Sequence, residues 1–185
     1  MEEKQLILLA QQGDIQAFEE LIKRYKDNIF NLAFLKVLDK NVAEDLAQES
    51  IIRIFEKIKL FDFKGSFSSW VYKVTYNTIL KSVQKKFKVE NISIEDTEIL
   101  NTTEVQSIEE KIIHQQIFKK LLKLISQLPE ELQIVLILHD IQGVKYEEIS
   151  EILDINIGTV KSRLFNARKT LKQLCEKENL LDWLK

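Results

Sequence analysis

The sequence predicts an all-α protein: two small helical domains joined by an acidic linker. Three observations lead there. In 185 residues there is one proline, Pro129, and four glycines, Gly13, Gly65, Gly143 and Gly158. Glycine and proline supply most turn geometry, so a chain with so few makes long helices with short joints. Apolar residues recur at spacings of three and four, the period of a helix with one buried face. Charge is polarised: the net is only -2, yet residues 71–88 carry five Lys and no acid, residues 89–110 seven acids and no Lys or Arg. Residues 157–173 again hold only basic charges. Two basic surfaces facing an anion, separated by a segment that avoids it, account for that pattern.

Taken in chain order, residues 14–37 have helical spacing, with Asp14 as N-cap and Ile15, Phe18, Leu21, Ile22 and Tyr25 on one side. A second helix follows "NVAE", where Asn41 and Glu44 stand as in a capping box. It runs through "DLAQESIIRIFEKI", with Ala43, Leu46, Ala47, Ile51, Ile54 and Phe55 as its apolar set. The loop "FDFKGS" interrupts, and "FSSWVYKVTYNTILKSVQKK" resumes the period, closing a first domain over residues 1–88. Residues 89–106, rich in Asn, Thr and acid, have no period and read as the linker. The second domain, 107–185, opens on a Ser107/Glu110 capping box and holds four helices. Pro129 suits the first turn of the second of these, which stops before Gly143. "YEEISEIL" is a short third helix, "DIN" a tight turn, and Asn156 caps a long basic fourth helix.

A short amphipathic helix, a three-to-four-residue turn and a longer basic helix make the helix-turn-helix plan, whose second helix enters the DNA major groove. In "YEEISEILDINIGTVKSRLFNAR", Ile149, Ile152, Leu153, Ile155 and Val160 would pack the two helices together. The outer face would present Lys161, Ser162, Phe165 and Asn166, with Arg163, Arg168 and Lys169 on flanks where phosphates run. Backbone amides at Gly158 and Thr159 favour a phosphate at the helix start.

These residues carry a resemblance. "LPEELQIVLILHDIQGVKYEEISEILDINIGTVKSRLFNARKTLK" resembles the promoter −35-reading region of bacterial sigma factors of the extracytoplasmic-function (ECF) group. "AEDLAQESIIRIF" and "FSSWVYKVTYNTILKSVQKK" are similar to that family's other domain, in the right order and at the right separation. The resemblance covers about Gly13 to Lys172. It implies a transcription initiation factor that binds core RNA polymerase through the β′ clamp helices and the β flap. It also implies reading of −35 duplex by the second domain, capture of −10 non-template DNA by the first, and an anti-sigma partner. The acidic linker would run through polymerase toward its RNA exit path. A stand-alone helix-turn-helix activator that only recruits polymerase is the alternative, and a degenerate sigma-like regulator a third.

Within the first domain, "DLAQES" sets Asp45, Gln48 and Glu49 on one helical face, positions three and four apart being neighbours. By itself such a triplet fits a solvated face; by resemblance it matches the surface that grips the β′ clamp helices. The next block interleaves aromatics and cations: Phe67, Trp70, Tyr72, Lys73, Tyr76, Lys81, Lys85 and Lys86. Aromatic faces stack on unpaired bases and cations follow the backbone. Helical spacing requires part of the set to be core, and Phe67 and much of Trp70 are expected there. Asn77 either reads a base edge or is merely solvated; by resemblance it coincides with an Asn that holds an extruded −10 base. The loop "LFDFKGS", with Phe61, Phe63 and Lys64, would supply the wall of that pocket.

Catalytic chemistry finds no support. His114 and His139 lie in separate helices, so no metal pair is suggested, and there is no phosphate-binding glycine loop. Cys175 reads as an apolar filler rather than a nucleophile, and no cofactor or metal is expected. There is no apolar run of transmembrane length and no secretory leader in "MEEKQLILLAQQGD", which points to the cytoplasm. The apolar tail "NLLDWLK" is expected to dock on the second domain or on a partner.

Overall fold

The computed structural model describes residues 1–87 and 108–180, and the side chains of all of these except 85–87 and 108–115. Among the described residues there are helices and no strand. Among the described residues, five α-helices build the first domain: α1 (Glu3–Gln11), α2 (Ile15–Lys23), α3 (Lys26–Val37), α4 (Lys40–Lys57) and α5 (Phe67–Phe87). Four build the second: α6 (Ile108–Ser126), α7 (Glu130–Leu136), α8 (Tyr146–Leu153) and α9 (Ile157–Lys177). α7 runs on into a π-helical turn, Ile137–Ile141. The linker and the Ser107 cap lie outside the described residues.

Several boundaries differ from the sequence reading. The predicted helix over 14–37 is two helices. Arg24 and Tyr25 tighten into i→i+3 bonds on Leu21 and Ile22, and α3 restarts at Lys26. The break has a tertiary cause: Tyr25 donates its hydroxyl to Glu3 on α1 and sets its ring edge-on to Phe67 of α5. Burial in that corner, helped by Glu3, raises the Tyr25 phenol well above its ordinary range. Ile15 is 61% exposed, because α2 turns Ala17, Phe18, Leu21 and Ile22 inward instead. α4 is capped by Asp39, whose carboxylate accepts from the Val42 amide at 2.8 Å, so Asn41 lies inside the helix and caps nothing. α1 was not foreseen; it buries Leu6, Ile7 and Ala10.

The second half keeps to its local signals. Pro129 stands at the head of α7, and α8 spans "YEEISEIL". Asp154 takes a left-handed conformation (φ 56°), which a short polar side chain tolerates, and ends α8. Asn156 then caps α9, accepting from the Thr159 amide at 2.8 Å. His139 is structural: its Nδ1 lies 2.9 Å from the Val144 carbonyl and its ring 4.5 Å from that of Tyr146. Leu180 seats the start of the tail beside Leu124 and Cys175, whose thiol burial pushes up; residues 181–185 lie outside the described part.

Two large cores result. One lies inside the first domain, around Leu6, Leu21, Ile29, Ile54 and Ile58. The other crosses between domains, joining Leu32, Leu35, Leu46, Tyr72 and Ile79 to Leu122, Ile134, Leu138, Ile149 and Leu164. The two domains are packed on one another, chiefly through α5 against α8.

Candidate nucleic-acid interface

The residues singled out by the sequence lie on three separate faces, on α4, on α5 with the loop before it, and on α9. On α4, Asp45, Gln48 and Glu49 are all exposed, while Ala43, Leu46, Ala47 and Ser50 turn inward. Glu49 accepts from Ser82 Oγ on α5 at 2.8 Å, which fixes its carboxylate. The polar triplet continues into exposed Ile52, three residues past Glu49, so the face ends in an apolar step. Phe55 belongs there too: it is 42% exposed, its ring in a T-shaped contact with Phe18, rather than in the core as its spacing suggested. The sequence reading missed this apolar extension. The signal was a run of apolar residues, Ile51, Ile52, Ile54 and Phe55, too crowded for one buried stripe.

On α5 and the loop before it, the expected aromatic and basic set divides. Phe61 is buried against Phe67 and Trp70, so it backs the loop from the core and faces no base; this corrects its assignment as a DNA contact. Phe67 is buried and Trp70 half-buried, stacked on each other at 5.6 Å. Phe63 is exposed in a left-handed conformation (φ 61°), and Lys64 is held on Asp62 at 2.8 Å. That hydrogen bond draws the exposed Asp62 carboxyl below its usual range. Asn77 and Lys81 are exposed, and the side chains of Lys85 and Lys86 lie outside the described residues. Lys73 and Tyr76 are half-buried and Tyr72 buried, all three against the second domain. Burial is the main cause that pushes the phenols of Tyr72 and Tyr76 up to about 12.

On α9, Val160, Leu164 and Ala167 face inward, and Thr159 hydrogen bonds to the capping Asn156. Lys161, Ser162, Phe165, Asn166 and Lys169 are exposed, Phe165 to 68%. The arginines are engaged within the protein. Arg163 pairs with Glu131 at 2.6 Å. Arg168 makes a two-pronged contact with Asp140, Nε at 2.9 Å and Nη2 at 2.5 Å, and the carboxylate holds its charge more firmly. Lys161 Nζ lies 5.9 Å from the centre of the Tyr146 ring. Such pairs order a guanidinium while leaving its remaining N–H groups for an anion. Among the described residues no group of side chains could hold a metal ion.

An all-helical chain with a capped helix-turn-helix at one end and an aromatic, basic helix at the other defines a two-domain DNA-reading protein. A family model for Sigma-70 region 2 matches residues 21–88, and one for Sigma-70 region 4 matches residues 118–171. The chain is 30% identical over 174 residues to the ECF RNA polymerase sigma-E factor of Haemophilus influenzae, covering 90% of this chain and 92% of that one. It is 29% identical to the ECF RNA polymerase sigma factor SigW of Bacillus subtilis, over 92% of this chain and 95% of that protein. In fold it matches CnrH, solved in complex with the cytosolic domain of CnrY, with a TM-score of 0.72 at 16% identity over 95% of this chain and 97% of that one. It also matches the sigma factor RpoE of Bartonella quintana, solved with the anti-sigma factor NepR, with a TM-score of 0.71 at 20% identity over 88% of this chain and 98% of that one. The chain belongs to the ECF RNA polymerase sigma factors. It is a transcription initiation factor that directs RNA polymerase to promoters.

Proposed function

We propose that the three faces divide the work of promoter use. The α4 face (Asp45, Gln48, Glu49, with Ile52 and Phe55) grips the clamp helices of the polymerase β′ subunit. The α5 face, with Trp70, Lys73, Tyr76, Asn77 and Lys81, receives the unpaired −10 non-template strand against the Phe63–Lys64 loop. The α9 face reads −35 duplex through Lys161, Ser162, Phe165 and Asn166, while Thr159, Arg163, Arg168 and Lys169 meet phosphates. The second domain also contacts the β flap, and the acidic segment 89–106 follows a basic channel of the polymerase. Nucleotidyl transfer belongs to polymerase, so this chain supplies no catalytic group and needs no cofactor; it works in the cytoplasm, where polymerase and chromosome meet. An anti-sigma protein is its natural regulator. The observation that carries the reading is that one chain holds both DNA-reading blocks and a separate exposed acidic–apolar face on α4. The test is transcription: purified chain with core polymerase starts RNA from a selected promoter, whereas a stand-alone activator gives none without another sigma factor.

Asn166 gives a prediction about specificity. Asparagine suits the acceptor–donor pair of adenine, whereas arginine suits the paired acceptors of guanine. Asn166→Arg therefore shifts the −35 preference toward G at the facing base by about 1–3 kcal/mol. Lys169→Ala lowers affinity for all sequences alike. A promoter-library selection with both variants reads this directly; an unchanged base profile for Asn166→Arg, with binding intact, removes Asn166 from the groove.

The −10 face gives another. In holoenzyme, Asn77→Ala costs about 1 kcal/mol of discrimination at one −10 base, the worth of one hydrogen bond. Lys81→Ala instead flattens the salt dependence of opening without altering base preference. Permanganate footprinting across single-base promoter variants separates the two, and equal profiles for both variants sink the Asn77 assignment.

A further inference from the structure

The loop that carries Phe63 and Lys64 is held from a distant part of the chain. Gln11, the half-buried last residue of α1, turns its carboxamide onto the backbone just ahead of that loop. Its Nε2 donates to the Ile58 carbonyl at 3.0 Å and to the Phe61 carbonyl at 2.8 Å. Two carbonyls can be met only by the NH2 end of the side chain, which has two hydrogens to give. The Ile58 carbonyl also accepts from the Phe61 amide at 3.1 Å, so Gln11 closes a turn that the backbone has begun. Burial against Phe67 and Trp70 fixes the Phe61 ring. It does not fix the carbonyl, because the peptide plane leading to Asp62 can rotate beneath a stationary ring. Gln11 sets that plane. Two residues on, Phe63 stands at φ 61°, a conformation costly for a bulky side chain that persists only where its surroundings determine it. Asp62 ties the turn locally by accepting from the Lys64 amide at 3.2 Å, and Ser66 holds the far end by accepting from the Ser69 amide at 3.0 Å. The near end is held by α1.

We propose that Gln11 is a positioning residue for −10 base selection, acting through the Phe61 carbonyl on the loop that lines the strand. The proposal rests on the assignment of that loop to the −10 strand. Without the two hydrogen bonds the Phe61–Asp62 peptide turns, and Phe63 and Lys64 are re-aimed with it. In the re-aimed loop the pocket lacks its wall. A fitting base then loses its contacts while a poorly fitting one loses little, and the difference between them shrinks. α1 reaches the same aromatic cluster by a second route. Glu3 accepts from the Tyr25 hydroxyl, the Tyr25 ring meets Phe67 edge-on at 5.5 Å, and Phe67 meets Phe61 at 5.2 Å. That route holds the rings; Gln11 holds the backbone.

The test uses holoenzyme assembled with the full chain. Promoter opening is read by permanganate footprinting on promoters varied one base at a time through the −10 and −35 elements. Gln11→Met keeps the length of the side chain and removes both donors, whereas Gln11→Lys restores donors on a stem of similar reach. Gln11→Met should lower discrimination at one or more −10 positions by about fivefold, the factor carried by one hydrogen bond. Its −35 preference and core-polymerase affinity should equal those of the parent chain. Gln11→Lys should keep the parent −10 profile. An unchanged −10 profile for Gln11→Met overturns the proposal. Equal losses in Gln11→Met and Gln11→Lys overturn it too, since packing rather than donor chemistry is then at work. So does a loss in Gln11→Met that extends to −35 preference or core affinity, the mark of a general loss of fold. Phe63→Ala tests the underlying reading and should alter the −10 profile. If it does not, the loop does not line the strand, and the role of Gln11 goes with it; an altered profile for Phe63→Ala beside an unchanged one for Gln11→Met rejects Gln11 alone.

Discussion

Replacing Asp45, Gln48 and Glu49 together by alanine lowers the affinity for core RNA polymerase by about a hundredfold, with helical content and thermal midpoint nearly unchanged. The size follows from two charge-assisted contacts at about 1.5 kcal/mol each, the lower end for hydrogen bonds to charged groups, and 1.4 kcal/mol per factor of ten. Fold stability is spared because all three side chains are exposed, and the buried contacts of α4 come from Ala43, Leu46, Ala47, Ser50 and Ile54. Glu49 accepts a hydrogen bond from Ser82, so its single substitution frees that hydroxyl on α5. Ile52→Asp should weaken binding further through the apolar step of the same face. Titration of labelled core polymerase measures the affinities; an undiminished affinity in the triple variant removes α4 from the polymerase contact.

Leu164→Ala destabilises the protein by about 2–5 kcal/mol, the range for a fully buried leucine. Leu164 is in the core that joins α7, α8 and α9, together with Leu138, Ile149 and Val160. Removing it leaves a void under the recognition helix, and −35 duplex binding falls with the fold. Phe165→Ala, one residue on, is the contrast. Its side chain points to solvent, so stability hardly changes while duplex affinity drops. Urea unfolding followed by circular dichroism gives the first number and duplex titration the second. Equal unfolding midpoints for the two variants contradict the inward placement of Leu164.

The local signals in the second domain were legible because each is complete within a few residues. Asn156 caps α9 with its own side chain, Asp154 ends α8 through its own backbone angle, and α8 coincides with the predicted "YEEISEIL". The inward set of the helix-turn-helix followed from period alone. In the first domain long-range contacts decide where helices break and which aromatics are buried. A continuous pattern over 14–37 gave no notice of a break at Arg24–Tyr25, since that break serves Glu3 and Phe67, distant in the chain. Phe61 and Phe55 carry identical side chains on neighbouring segments, yet one is buried and the other exposed. Arg163 and Arg168 looked free because Glu131 and Asp140 lie some thirty residues earlier.

By itself, then, the sequence determined the helical class, the helix-turn-helix, the polarised charge and, through its motifs, the family. Those properties depend on neighbours within one or two helical turns, where side-chain chemistry and backbone period act directly. Which face of each helix stays open was decided only by tertiary structure. Periodicity shows that α5 has an apolar side, and it cannot show that α8 lies across Lys73 and Tyr72. Burial of that kind is a property of pairs of distant segments, fixed when the cores of the two domains merge.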